Sequence, residues 1–163
     1  MPSKRSSGTA IDSIRPSALQ PHKHVVLPVM FRLIYTCGLR PGEARVLPAN
    51  NVYLDSGEIL ITETKRSRDR MIVMSEDMRT LCADYNEQRK VLSPDSPFFF
   101  PGTDGKAFAS ATISREFCKC WAKANPEEVQ QCYIMTGFHT ATEGTLEIPL
   151  MKGISPELME VNT

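Results

Sequence analysis

The chain is poor in the features that announce many protein classes. It has five cysteines, Cys37, Cys82, Cys118, Cys120 and Cys132, an odd count with no Cys-x-x-Cys pair. Disulfides and a structural zinc site are therefore not expected, and buried thiols are the simpler expectation. Of the three histidines, His22 and His24 sit at a predicted helix entrance, where surface placement is the simpler expectation, and no second histidine lies at metal-ligand spacing near His139, so metal binding is not expected. A phosphate-cradling glycine loop and a Gly-x-Ser-x-Gly elbow are both missing. There is no apolar run of the ~18 residues that a membrane span needs. The opening Met1-Pro-Ser-Lys-Arg-Ser-Ser-Gly8 lacks the apolar middle of a signal peptide. A cytoplasmic location with no membrane partner is the expectation.

What is present is the make-up of an ordinary globule: 163 residues, 41% hydrophobic and 23% charged, enough to bury one core. The formal net charge is zero, but the charge is segregated. Residues 1–125 hold 18 Lys+Arg against 13 Asp+Glu, whereas residues 126–163 hold one Lys against six Glu. A mildly basic body is compatible with nucleic acid without requiring it.

Along the chain, residues 1–22 are polar and carry Pro2, Pro16 and Pro21, the pattern of a flexible N-terminal arm. Val26, Val29, Met30, Leu33 and Ile34 fall at helical spacing and predict a helix from about 24 to 36, stopped by Gly38. Pro41 suits the first position of a second helix ending near Pro48. Val52–Leu54, Glu58–Glu63 and Arg70–Met74 read as three strands, with turn chemistry at Asp55-Ser-Gly57 and a basic loop, Lys65-Arg-Ser-Arg-Asp69, at a hairpin tip. Ser75 is placed to cap a third helix with Met78, Leu81, Cys82 and Tyr85 on its apolar face. After Phe98-Phe-Phe100, Thr112 is placed to cap a fourth, with Ile113, Phe117, Cys120, Trp121 and Ala124 on one side. Beyond about residue 126 the helical patterning stops. The fold class expected is α+β, mainly helical with a small three-stranded antiparallel sheet.

Two clusters carry chemistry. In Gly38-Leu-Arg-Pro-Gly-Glu43, an arginine stands at the mouth of a helix with a carboxylate three residues on. That arrangement lets a phosphate meet a guanidinium fork and a helix N-terminus together. The same spacing also fits a surface arginine after a helix stop. In Lys65-Arg-Ser-Arg-Asp-Arg70, a lysine at a hairpin tip can enter a DNA groove while Arg66, Arg68 and Arg70 touch phosphates. It also fits a solvated turn that keeps a sheet edge from aggregating.

The order of these parts resembles the catalytic domain of the tyrosine recombinase (phage integrase) family. The resemblance runs over about residues 23–125 and rests on Cys37-Gly-Leu-Arg-Pro-Gly-Glu43 followed by the strand–turn–strand–basic loop–strand of Asn51–Ser75. It implies site-specific DNA recombination and DNA integration, with double-stranded DNA and other integrase protomers as partners. Arg40 would match the first catalytic arginine, Glu43 the supporting acid beside it, and Lys65 the hairpin general acid towards the leaving 5′ hydroxyl. Arg66, Arg68 and Arg70 would contact nucleic acid. A tyrosine of the family attacks the phosphodiester and conserves its energy in a phosphotyrosyl link, so no cofactor is implied.

The sequence also departs from the family. Its second box, of the form His-x-x-Arg-His, is matched only by Phe138-His-Thr-Ala-Thr142, where His139 is the remaining candidate. No arginine follows Arg115, and Tyr133 precedes the box. The expectation is a partial catalytic domain, truncated or frameshifted after about residue 126, with an atypical tail over 126–163. Whether it is an enzyme is left open. The alternatives are a non-catalytic DNA-binding modulator of a full-length integrase and a non-functional remnant.

Overall fold

The computed structural model describes residues 10–62 and 69–124. These fall into two compact units, one spanning residues 15–113, the other drawn from both ends of the chain. Of the second unit, residues 10–14 and 114–124 are described. Within the stretch expected to be an arm, Ala10–Ser13 forms a 3-10 turn with Ile11 buried.

The larger unit is built on helix α1 (Lys23–Cys37), whose Leu27, Met30 and Leu33 are fully buried. Pro28 lies inside it near the N-terminal end, where the missing N–H costs one helical bond. The helix stops at Gly38, which sits at φ 63° and ψ 33°. The Leu39 N–H reaches back to the Ile34 carbonyl at 3.1 Å, the bond that closes a Schellman ending. Glycine is needed here because a Cβ disfavours the left-handed conformation. This sharp stop buries Leu39 and delivers Arg40 directly to the surface.

Helix α2 (Pro41–Arg45) follows at once and is only five residues long, shorter than the helix expected to run towards Pro48. Strands β1 (Val52–Tyr53), β2 (Glu58–Ile61) and β3 (Arg70–Val73) form an antiparallel sheet in the order β1-β2-β3. Gly57, at φ 76°, turns the chain between β1 and β2. The register pairs Val52 with Ile59, Ile59 with Ile72, and Ile61 with Arg70. Paired residues share a face, so Arg70 sits at the end of the inner, apolar face of the sheet. On the outer face Tyr53, Met71 and Val73 are exposed.

Helix α3 (Glu76–Leu92) begins as its sequence predicts. The Ser75 hydroxyl accepts the Met78 N–H at 3.3 Å, and Glu76 and Asp77 occupy the first turn while Arg89 and Lys90 occupy the last. Met78, Cys82 and Tyr85 are buried, and α3 packs on α1. Ser75→Ala is expected to lower stability by about 1 kcal/mol; a thermal melt that does not move would remove the cap from the account.

After α3 the chain returns alongside the exit of α2. The Phe99 N–H donates to the Leu47 carbonyl and the Ala49 N–H to the Pro97 carbonyl, each at 2.8 Å. Helix α4 (Ser110–Ala124) starts before the expected cap. Thr112 lies inside its first turn, where its N–H bonds the Ala109 carbonyl. Among the described cysteines, Cys37, Cys82 and Cys120 are free thiols. Burial pushes the Cys82 thiol up to about 12 and the Cys120 thiol up to about 11, so both are poor nucleophiles. Cys118 is disulfide-bonded, which corrects the expectation of thiols throughout: an odd count leaves one cysteine over but does not prevent a pair.

Candidate catalytic and DNA-contact site

The site is organised by Glu43. Its position at the third residue of α2 lets Oε2 accept the Arg40 backbone N–H at 2.8 Å. The return bond of a capping box does not form, because a guanidinium has donors only. Across the fold, Arg70 at the start of β3 forks onto the same carboxylate. Its two terminal nitrogens donate to Oε1 at 2.9 Å and to Oε2 at 2.7 Å. The Arg40 guanidinium stands further off, 3.8 Å from Oε1.

The three side chains differ in exposure in a way that assigns their work. Glu43 is 15% exposed, Arg70 38% and Arg40 51%. Burial alone pushes the Glu43 carboxyl up, but the Arg70 fork, the Arg40 N–H and the positive charge of both arginines outweigh it. They hold the group below its ordinary value. Stability drawn from the clasp is fully present above the unfolded carboxyl's value of about 4.3. It is lost as pH falls through the lower folded value.

Arg40 therefore presents a half-exposed guanidinium, beside a cavity of about 320 Å³ that it lines with Gly42, Glu43, Pro48 and Thr62. The expected help from the helix N-terminus is largely withdrawn. Pro41 has no N–H, the Arg40 N–H is taken by Glu43, and five residues sum few peptide dipoles. Phosphate contact at this place falls on the side chain. Another groove of the unit, about 870 Å³, is lined by Asp55, Glu58, Asp84 and Glu87 with Lys90, and that charge repels a phosphate backbone.

Of the residues singled out from sequence, the structure brings together Arg40, Glu43 and Arg70. Lys65, Arg66, Arg68, His139 and Tyr133 lie outside the described residues. Arg45 was not singled out. It donates to the Phe108 carbonyl at 3.3 Å and so fastens α2 to the segment before α4, a role with no local sequence signal.

The phage integrase family's sequence profile matches residues 13–140, most of the chain. The chain belongs to the phage integrase family. Its fold is that of two solved recombinases. One is the XerA recombinase, at TM-score 0.60 and 22% identity, covering 71% of this chain and 42% of that one. The other is the XerH site-specific recombinase bound to its difH substrate, at TM-score 0.59 and 20% identity, covering 75% of this chain and 34% of that one. The chain thus spans less than half the length of either. Two 1,3-beta-galactosyl-N-acetylhexosamine phosphorylases of Lachnoclostridium phytofermentans are each 54% identical to this chain over short stretches. The stretches are 68 and 44 residues, or 42% and 26% of this chain, and 9% and 6% of those proteins. The family supports site-specific DNA recombination as the area of function, with the α+β catalytic-domain fold that its sequence predicted. Among the described residues, no helix is long and apolar enough to cross a membrane.

Proposed function

We propose that residues 23–125 are a DNA-binding part of a tyrosine-recombinase catalytic domain, in which Arg40 contacts the phosphate undergoing strand exchange. The observation that carries this reading is the Arg40–Glu43–Arg70 arrangement: a half-exposed guanidinium held at a sharp chain turn by a carboxylate whose own charge is met by a second arginine. The basic loop of Lys65, Arg66 and Arg68 supplies further phosphate contacts, with Lys65 as the acid towards the leaving 5′ hydroxyl. Double-stranded DNA is the partner, and other integrase protomers are the natural source of the groups that this chain lacks. The solved XerH complex with a DNA substrate supports DNA as the ligand by likeness of fold. The setting is cytoplasmic, on DNA carried by a mobile element.

A second reading is favoured by one feature of the sequence. No arginine follows Arg115, and no tyrosine follows His139. We therefore expect this chain by itself to bind DNA without exchanging strands, as a modulator of an intact integrase does.

Both points are tested together. Binding to duplex DNA is expected to weaken with salt at a logarithmic slope of about −3 to −4, as four phosphate contacts give. That is roughly a hundredfold loss between 50 and 200 mM salt. A flat salt profile would remove DNA as the ligand. A covalent protein–DNA adduct trapped on supercoiled DNA would overturn the non-catalytic reading.

A further inference from the structure

Arg70 was expected to touch phosphate, yet its fork is committed to a carboxylate. We infer that Arg70 is a positioning residue, which takes up the charge of Glu43 and so keeps the Arg40 guanidinium directed to DNA. The inference rests on the reading of Arg40 given above and adds a role that the family resemblance did not assign.

The argument is a competition for one carboxylate. Glu43 is mostly buried, and a buried carboxylate needs a partner. Among the described residues, two cations are within reach. Arg70 holds it bidentately, at 2.9 and 2.7 Å, in the planar geometry that makes such pairs strong. Arg40 is anchored to the same carboxylate through its backbone, while its guanidinium stays 3.8 Å away. Among the described residues, removing Arg70 leaves Glu43 with Arg40 as its nearest compensating charge. A small rotation of the Arg40 side chain would then close the 3.8 Å gap and draw the guanidinium onto the carboxylate. Arg70 also sits where it must for this role. Its pairing with Ile61 puts it on the inner face of the sheet, turned towards α2.

Three variants and two measurements decide the matter. Arg70→Ala is expected to lower duplex-DNA affinity about tenfold and to flatten the salt slope by about 0.9. A direct phosphate contact by Arg70 predicts the same loss, so the double variant is the deciding one. In Arg70→Ala/Glu43→Gln no carboxylate remains to capture Arg40, and the amide oxygen still accepts the Arg40 N–H. Affinity and slope should return to within about twofold of the original chain. An additive or unchanged loss in the double variant would show that Arg70 itself touches DNA and would end the proposal. Arg70→Lys keeps the charge without the fork and is expected to lose about threefold.

The second measurement is independent of DNA. The Glu43 carboxyl, followed by carbon NMR, should titrate higher in Arg70→Ala than in the original chain. An unmoved Glu43 titration would show that the clasp does not hold in solution. If the original chain binds no duplex DNA, the function proposed for Arg40 fails, while the titration still reports on the clasp itself.

Discussion

Phe99→Ala is expected to lower the melting temperature by roughly 15–30 °C, the largest stability loss of any single truncation considered. Phe99, Phe100 and Tyr85 are all essentially inaccessible, at 1%, 0% and 2% exposure. Phe99 meets Phe100 edge-on, with ring centroids 4.9 Å apart at 81°, and meets Tyr85 at 5.4 Å and 70°. Tyr85 stacks on Phe100 at 5.4 Å and 29°. Each ring is thus in the geometry its quadrupole favours, and removing one leaves a hole bounded by two rigid neighbours that collapse poorly. Transfer and cavity terms together give about 3–5 kcal/mol for such a deletion. That is a large part of the 5–15 kcal/mol typical of a whole domain.

The backbone of Phe99 is expected to survive the change, which makes the prediction specific. Its N–H bonds Leu47 and its carbonyl accepts the Tyr85 hydroxyl at 2.9 Å, and alanine keeps both groups. Tyr85→Phe makes the complementary test: it keeps the ring and strands the carbonyl, for about 1–2 kcal/mol. If Phe99→Ala and Tyr85→Phe shift the melt equally, the cluster is held by its hydrogen bond and the packing argument fails. Because Leu47 lies just beyond α2, loss of this cluster should also loosen the chain that carries Arg40.

The parts of this fold that sequence revealed are those set by neighbours along the chain. The stop at Gly38 follows from a left-handed φ that brings Arg40 to the surface two residues later, and Ser75 announces α3 through its own hydroxyl. The three strands follow from apolar alternation, with Ile59 and Ile61 buried as their spacing implies. The misread features are those fixed across the fold. α2 ends at Arg45 rather than near Pro48, because the next residues turn to pair with Pro97–Phe99, some fifty positions on. α4 begins at Ser110 through a bond to Ala109, upstream of the residue with the better capping side chain. At Arg70 the sequence shows a cation in a basic run and nothing of the carboxylate it meets. Its partner, Glu43, is 27 positions away, and only the strand register turns that arginine inward.

Arg40→Ala is expected to weaken duplex binding by about 10–100-fold, the range that a lost charge-assisted hydrogen bond of 1.5–3 kcal/mol gives. The loss should be nearly uniform across DNA sequences, because a phosphate contact carries no base information. The salt slope should shrink by about 0.9, the share of one phosphate. Stability should barely move. The cap of α2 uses the Arg40 backbone N–H, which alanine retains, and the side chain makes no cap bond of its own. Arg40→Lys restores the charge without the fork and should recover part of the affinity and all of the slope. Two results would sink the assignment. One is a slope unchanged in Arg40→Ala, which would place the guanidinium off the DNA. The other is a melting temperature that falls in step with affinity, which would make Arg40 a structural residue of the α1–α2 corner.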